Sequence, residues 1–424
     1  MHSDLGERNM ERRLGTCFSL SLRNFISLFL DITIVSLVFL NLNYSMVVPV
    51  NVDLDRVAYL RTLYYSWSAI ARMLGVSRSY LYKRTHGNSA FSNPHRSLTD
   101  EELEVVLHGY GMNSLYRGEV LIAGFLRSNG FLVPRSQLRA TLHRIDADGI
   151  AVRSKRRIRR RDYSVYGPHH LWHIDGNHKL DRYGIVVFGG IDGYSRTITF
   201  LKAASNNRAT TLLPFFKDAV EEFQVPSRVR ADGGGENVLI AKFMIEVRGP
   251  HRGSFIVGQS KHNTRIERLW GDVTRDTSTF YIDLFRQYTE RGMNIDDSIH
   301  IFVLQYMFLP RINEALDAFV RGWNNHKVRT EHNRSPLQIL YEGLDRTEPP
   351  VDIDVDVYGV EDIVVADYQR RLVDPVQCPL LDSNLLLFQR TVAPFRLCDI
   401  IDSMFDRYVN AVNLMTYMYD VQLS

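Results

Sequence analysis

Cysteine is scarce in this chain: three residues in 424, at Cys17, Cys378 and Cys398, far apart and at no metal-ligand spacing. That excludes a disulfide-stapled scaffold and a Cys-rich zinc module, and it suits a reducing compartment. A net charge of one sign is nearly missing too, at +3 overall. The charge is unevenly spread, however. From Tyr341 onward there are 15 acidic and 6 basic residues, a balance of −9, which leaves +12 in the first 340. A basic body with an acidic end suits a protein that meets phosphates through its body. Long apolar runs are confined to Phe25–Leu40, where Asp31 is the sole charge and Arg12, Arg13 and Arg23 precede. A signal peptide is disfavoured by the late start of this run and the absence of a clear small-residue cleavage site. A membrane anchor would put the basic body across the membrane from the genome. The expectation is a buried extension over residues 1–50, with a membrane anchor through residues 25–40 as the alternative. The length suits two or three domains, and 45% apolar residues suffice for their cores.

Residues 51–95 read as a helix-turn-helix. In SWSAIARMLGVSRSYLYKR, Ile70, Ala71 and Leu74 form one apolar face. Gly75 permits a left-handed turn, Val76 is the expected buried turn residue, and Ser77 caps the next helix. Arg78, Ser79, Tyr80, Lys83 and Arg84 then fall on an exposed second helix, the one expected to read duplex DNA. Residues 96–150 read as a second such unit. There Tyr116–Ser128 and Pro134–Ile145 flank a short turn, and Arg135, Gln137, Arg139 and Arg144 decorate the later helix. Residues 151–169 are a basic linker. Its core, RSKRRIRRR, places Arg153, Lys155, Arg156, Arg157, Arg159, Arg160 and Arg161 within nine positions, a stretch fit to track a phosphate backbone.

From Leu171 the periodicity changes from helical to strand-like. LWHIDGNHKL, YGIVVFGGIDGYS and RTITFLKA predict three antiparallel strands, with turns at Gly176–Asn177 and Asp192–Gly193. A helix over 208–223 follows, then a buried strand over 228–232, a helix opened by GGGEN, a short strand over 253–258, and a helix over 262–280. Asp175 falls on the first strand, Asp232 at the end of the fourth, and Glu267 one turn into the last helix. Three carboxylates at element boundaries make a ligand set for a hard, oxygen-seeking cation, Mg²⁺ or Mn²⁺, and a pair of such ions suits phosphoryl transfer. Asp192 and Glu236 are sufficiently explained as a turn residue and a helix-start residue. His173 shares the side of the strand with Asp175. Asn263 shares a helical face with Glu267, and Arg265 and Arg268 flank it. These four are the possible substrate contacts. Trp270 and Ile266 read as core.

Residues 170–340 resemble the retroviral integrase and transposase superfamily. The resemblance is carried by Asp175 in WHIDGNHK, Asp232 in RADGGGEN, Glu267 in KHNTRIERLW 35 positions further on, and WNNHKVRTEHNRSP over 323–336. It most resembles integrase-core-domain proteins of animal genomes, transposon-encoded or domesticated. It implies an α/β, ribonuclease-H-like core with a mixed five-stranded sheet behind an all-helical region. It also implies strand transfer on double-stranded DNA, a homo-oligomer on that DNA, and a place in the nucleus. Two departures stand out: no His/Cys zinc module precedes the core, and the acidic region 341–424 matches no DNA-binding tail. The alternatives are a domesticated DNA-binding protein without catalysis and a ribonuclease-H-type nuclease.

Overall fold

The computed structural model describes residues 52–88, 91, 96–109, 118–145, 163, 165–258, 263–344 and 373–424. The apolar segment 25–40 and the basic run 153–161 lie outside these. Among the described residues no helix is long and apolar enough to cross a membrane. The described residues fall into two compact units, 52–60 with 65–87, and 61–64 with those from 88 onward.

The first unit holds three short helices. Helix α1 (Leu54–Thr62) buries Val57 and Leu60. Helix α2 (Trp67–Met73) is capped by Ser66, whose side chain accepts from the Ala69 amide. Helix α3 (Arg78–Thr85) is capped by Ser77, which accepts from the Tyr80 amide at 3.1 Å. Gly75 has φ +65°, the left-handed region that only glycine enters at no steric cost. Val76 is only half-buried rather than buried as expected, because its amide ends the turn on the Ala71 carbonyl and the side chain stays at the rim.

The second unit opens with α4 (Asp100–Gly109), α5 (Glu119–Ser128) and α6 (Arg135–Ile145). Thr99 and Glu102 form a reciprocal cap, each side chain bonding the other's amide at 3.2 and 3.0 Å. The bases expected to decorate α6 are met by acids of the same unit. Arg135 and Arg139 reach Glu119, Arg144 reaches Glu104 and Asp100, and the Gln137 amide binds the Leu98 carbonyl. Helix α5 lies against the long helix α11 (Ser298–Asn325), backbone on backbone. A Cβ on Gly124 would sit 2.2 Å from the Gly322 carbonyl oxygen.

The sheet has five strands: β1 (Trp172–Leu180), β2 (Ile185–Asp192), β3 (Ile198–Ala204), β4 (Val229–Ala231) and β5 (Phe255–Val257). Their order is β3-β2-β1-β4-β5; β1 to β3 pair antiparallel, while β4 and β5 join in parallel. With helices on both faces, this is the mixed ribonuclease-H-like architecture. Alternation sorts the core. Trp172, Ile174, Phe188, Val229 and Ala231 face α7 (Ala209–Phe223) and α8 (Val238–Arg248). Val187, Ile191 and Leu201 face the other layer, made of α9 (Thr264–Val273), α10 (Thr279–Glu290) and α11.

One expectation changes. The turn predicted at Gly176–Asn177 does not form. Instead β1 runs on to Leu180 through an irregularity between Asn177 and Leu180, and the chain reverses at Asp181–Gly184, where Gly184 has φ +66°. The irregularity carries even-numbered Leu180 to the α9 side, where it joins that core. The described part of the acidic C-terminal region, 373–424, joins the same core: α13 (Asp382–Thr391) buries Phe388, α14 (Met404–Leu423) buries Met404, Tyr408 and Met415, and Phe395 between them is buried there too. Between α11 and these lies α12 (Pro336–Gly343), started by a capping box between Ser335 and Gln338.

Candidate active site

Asp175 stands in mid-strand, not beside a turn. It opposes Gly189 of β2, and its Oδ2 accepts from the Trp270 indole Nε1–H at 2.8 Å. Asp232 lies one residue beyond β4 and is buried. Its Oδ1 accepts from the Asn237 side-chain amide at 3.1 Å. The parallel ladder pairs Trp172 with Val229 and His173 with Arg230. Asp175 and Asp232 each lie two residues beyond the last pair, His173 with Arg230. Asp175 belongs to the face that α9 covers, because Trp172 and Ile174 point to the other one.

Glu267 reaches this face from the helix. Asn263, Glu267 and Trp270 are spaced i, i+4, i+7 and form one stripe of α9. Asn263 meets β1 at His173 and Ile174, and Trp270 meets it at Asp175. Glu267 sits between these anchors, half-buried, and burial pushes its carboxyl above the usual carboxylate range.

The four possible substrate contacts have different surroundings. His173 is fully buried, with Nε2 2.7 Å from the Tyr163 hydroxyl and Nδ1 2.7 Å from Asn263 Oδ1. Asn263 donates its amide to the Ile174 carbonyl at 2.7 Å, so its oxygen faces His173. The ring must then carry its proton on Nδ1 and accept from Tyr163 on Nε2. Desolvation, with Arg230 and Arg265 nearby, lowers the His173 pKa to about 3, against the raising effect of the Asn263 bond. His173 and Asn263 thus hold the site from beneath. Arg265 donates to the Gly193 carbonyl at 3.1 Å, and its guanidinium lies 3.8 Å from the Tyr163 ring centroid. Arg268 alone of the four is exposed.

Asp192 is a turn residue, as expected: it is buried and accepts from the Ser195 amide and hydroxyl, each at 2.7 Å. Glu236 lies in the short 3₁₀ turn that opens α8. Three further residues serve the site without standing out in the sequence. Trp270 reads there as core alone, and only its indole nitrogen marks its second role. Asn237 signals itself weakly, five residues after Asp232. Tyr163 carries no signal, because its partners come from β1 and α9.

Asp175 on β1 and Asp232 just past β4, each with an oxygen oriented by a side-chain N–H, offer oxygen ligands and no softer donor, the chemistry that Mg²⁺ or Mn²⁺ requires. Among the described residues no three His, Cys, Asp or Glu side chains form a group able to hold an ion. The donor chemistry of the carboxylates suits such a cation, and Asp175, Asp232 and Glu267 do not form one three-ligand group.

On α3, Arg78, Ser79, Lys83 and Arg84 are exposed and Tyr80 is half-buried. Tyr80 receives hydrogen bonds from Arg84 at 3.3 and 3.4 Å.

Residues 162–348 match the family model for the integrase core domain. Among solved structures, the HTLV-2 integrase catalytic core domain in complex with magnesium, in its trimeric form, is similar at 14% identity. That match covers 42% of this chain and 99% of the other, with a TM-score of 0.29. An intasome of simian T-cell lymphotropic virus in complex with the PP2A regulatory subunit B56 gamma is similar at 12% identity. It covers 61% of this chain and 78% of the other, with a TM-score of 0.34. No curated protein matches the chain.

Proposed function

We propose, from the premise that residues 162–348 are an integrase core domain, that this chain cuts and joins double-stranded DNA through Asp175, Asp232 and Glu267. The observation that carries the reading is the placement of Asp175 on β1 and of Asp232 just beyond the neighbouring parallel strand β4, with Asp175 bonded to Trp270 of the helix that bears Glu267. In this reading Asp175 and Asp232 hold Mg²⁺ or Mn²⁺, two ions in the complete site, with Glu267 as the third ligand. When bound, the ions lower the pKa of an attacking water or 3′-hydroxyl and offset charge on the leaving oxygen. The chain's own residues do the rest. Trp270 and Asn237 orient the two aspartates. The Tyr163–His173–Asn263 chain fixes the start of α9 against β1, and Arg268 faces outward for a phosphate. Exposed bases on α3 read sequence, while the Arg153–Arg161 run adds salt-sensitive affinity for any duplex. The protein acts as a homo-oligomer on DNA, in the nucleus.

The test is cleavage and strand transfer by the purified full chain, with Mn²⁺ and a branched duplex carrying a free 3′-hydroxyl. Asp232→Asn keeps the oxygen that Asn237 bonds and removes the charge. It is expected to lose activity by roughly 10²-fold or more while DNA affinity stays within about twofold. Equal activity in both proteins would take Asp232 out of the site. A second reading, a DNA-binding protein that keeps the fold without the chemistry, is favoured by one observation: the described carboxylates do not close into a three-ligand group. It predicts duplex binding with no cleavage by either protein.

A further inference from the structure

We infer that Trp270 is a positioning residue for Asp175, and that Gly189 is glycine to admit it. The indole Nε1–H is a donor with no acceptor capacity, and a buried one needs a partner. Trp270 is only 6% exposed, and the acceptor it meets is Asp175 Oδ2 at 2.8 Å. A phenylalanine or leucine would fill the same apolar slot beside Ile266 and Leu201 with no such demand.

The strand opposite is shaped for this ring. Gly189 is the register partner of Asp175 on β2 and lies on the same face. A Cβ there would stand 2.8 Å from Trp270 Cη2, 3.2 Å from Leu201 Cδ1 and 3.3 Å from Ile266 Cδ1. An indole is rigid and cannot give way at its far edge as a lysine tip can. Gly189 has no positive φ, so backbone freedom does not explain it. The space does. Three elements thus converge on one bond: α9 supplies the donor, β2 the room and β1 the acceptor. A hydrogen bond to an ionised carboxylate is short and directional, and it fixes the carboxylate rotamer. Asp175 is thereby aimed on the face that α9 covers, and α9 is held to β1 three residues beyond Glu267.

The structural part of this inference stands alone; its meaning for the chemistry rests on the proposed function. Two measurements separate them. First, indole ¹H–¹⁵N resonances of the full chain are recorded for wild type and Asp175→Asn. The chain has four tryptophans, Trp67, Trp172, Trp270 and Trp323, so the resonance that disappears in Trp270→Phe identifies the one in question. It is expected to shift in Asp175→Asn, with the other three unmoved. Second, Mn²⁺ binding is measured by calorimetry. Trp270→Phe, which keeps an aromatic ring and loses the donor, is expected to weaken Mn²⁺ by about 10-fold or more, as removal of a ligand-orienting partner does. Gly189→Ala keeps the donor and displaces the ring, so it should weaken Mn²⁺ in the same direction and stands in if Trp270→Phe does not fold. In Asp175→Asn, adding Trp270→Phe should change nothing further. An indole resonance blind to Asp175→Asn would overturn the inference, as would folded Trp270→Phe and Gly189→Ala proteins with wild-type Mn²⁺ affinity. If wild type bound no Mn²⁺ while the resonance still shifted, the positioning role would stand and the proposed function would fall.

Discussion

His173 and Asn263, 90 positions apart in sequence, meet with Nδ1 and Oδ1 2.7 Å apart in a fully buried pair. Their directions are forced: Tyr163 O–H donates to His173, His173 to Asn263, and Asn263 to the Ile174 carbonyl. The chain ends on the residue before Asp175 and begins on Tyr163, whose ring carries the Arg265 guanidinium. It works only with a neutral imidazole.

Removal of Asn263 therefore leaves a buried N–H and a buried carbonyl behind. Asn263→Ala is expected to cost about 2–6 kcal/mol in urea denaturation, since each of the two orphaned groups costs about 1–3 kcal/mol. The same chain sets an acid limit. The His173 pKa falls to about 3 in the fold and is ordinary in the unfolded chain. The unfolded state then binds the extra proton over the window from about 6.5 down to about 3. Stability is fully present above that window and falls with pH inside it, by up to about 1.4 kcal/mol per pH unit for this one group. His326, also depressed by burial first of all, adds a loss of the same sign. Ring-nitrogen NMR should show His173 neutral and protonated on Nδ1 at pH 5. A folded protein whose His173 titrates near 6.5 would contradict the hydrogen-bond directions.

Glu267 carries the opposite sign. Burial raises its carboxyl pKa, so the ionised form destabilises the fold above that raised pKa, and the cost vanishes as pH falls through it. Glu267→Gln removes the charge at nearly constant shape. The thermal midpoint of the variant is expected to exceed that of wild type at neutral pH, with the gap closing in acid, while cleavage falls by roughly 10²-fold or more. A Glu267→Gln protein less stable than wild type at pH 7 would mean that the carboxylate has a stabilising partner, and its assignment to an ion site would weaken.

The sequence discloses this site unevenly, for physical reasons. The strands and the two aspartates are legible because apolar residues alternate before them, Trp172 and Ile174 before Asp175 and Val229 and Ala231 before Asp232, and the stripe of α9 because its spacing is helical. The reversal after β1 is not. Gly176–Asn177 has turn chemistry, yet its backbone pairs with Val187 and Phe188, and ladder bonds outweigh local preference. The bases of α6 look fit for DNA in sequence, but Glu119, Glu104 and Asp100 face them; the partners lie 16 to 44 positions away, beyond any local pattern. The same limit hides Trp270 behind its apolar character, since Asp175 is 95 positions distant. The acidic count of the C-terminal region conceals the apolar faces of α13 and α14, because average charge says nothing about which residues share a helix face.

The bases of α3 differ from those of α6 in what surrounds them. Helix α3 buries Leu81 and Thr85 and turns Arg78, Ser79, Lys83 and Arg84 outward. Arg84 bonds the Tyr80 hydroxyl on its own helix and sits 5.6 Å from that ring's centroid, so it is pre-aimed without being neutralised. Arg78 lies in the first turn, beside the Ser77 cap, where a recognition helix meets base edges. Arg78→Ala is thus expected to relax sequence preference by about 1–3 kcal/mol for each base it no longer reads. Tyr80→Phe removes only the bond that aims Arg84, so its effect should be smaller and should vanish in an Arg84→Ala background. Core cleavage of a pre-nicked, non-specific duplex should survive all three changes, because none touches the sheet. Binding-site selection with wild type and the Arg78→Ala, Tyr80→Phe and Arg84→Ala proteins decides the matter. If all four recover the same sequences, α3 does not read bases, and its outward bases serve solubility or another protein.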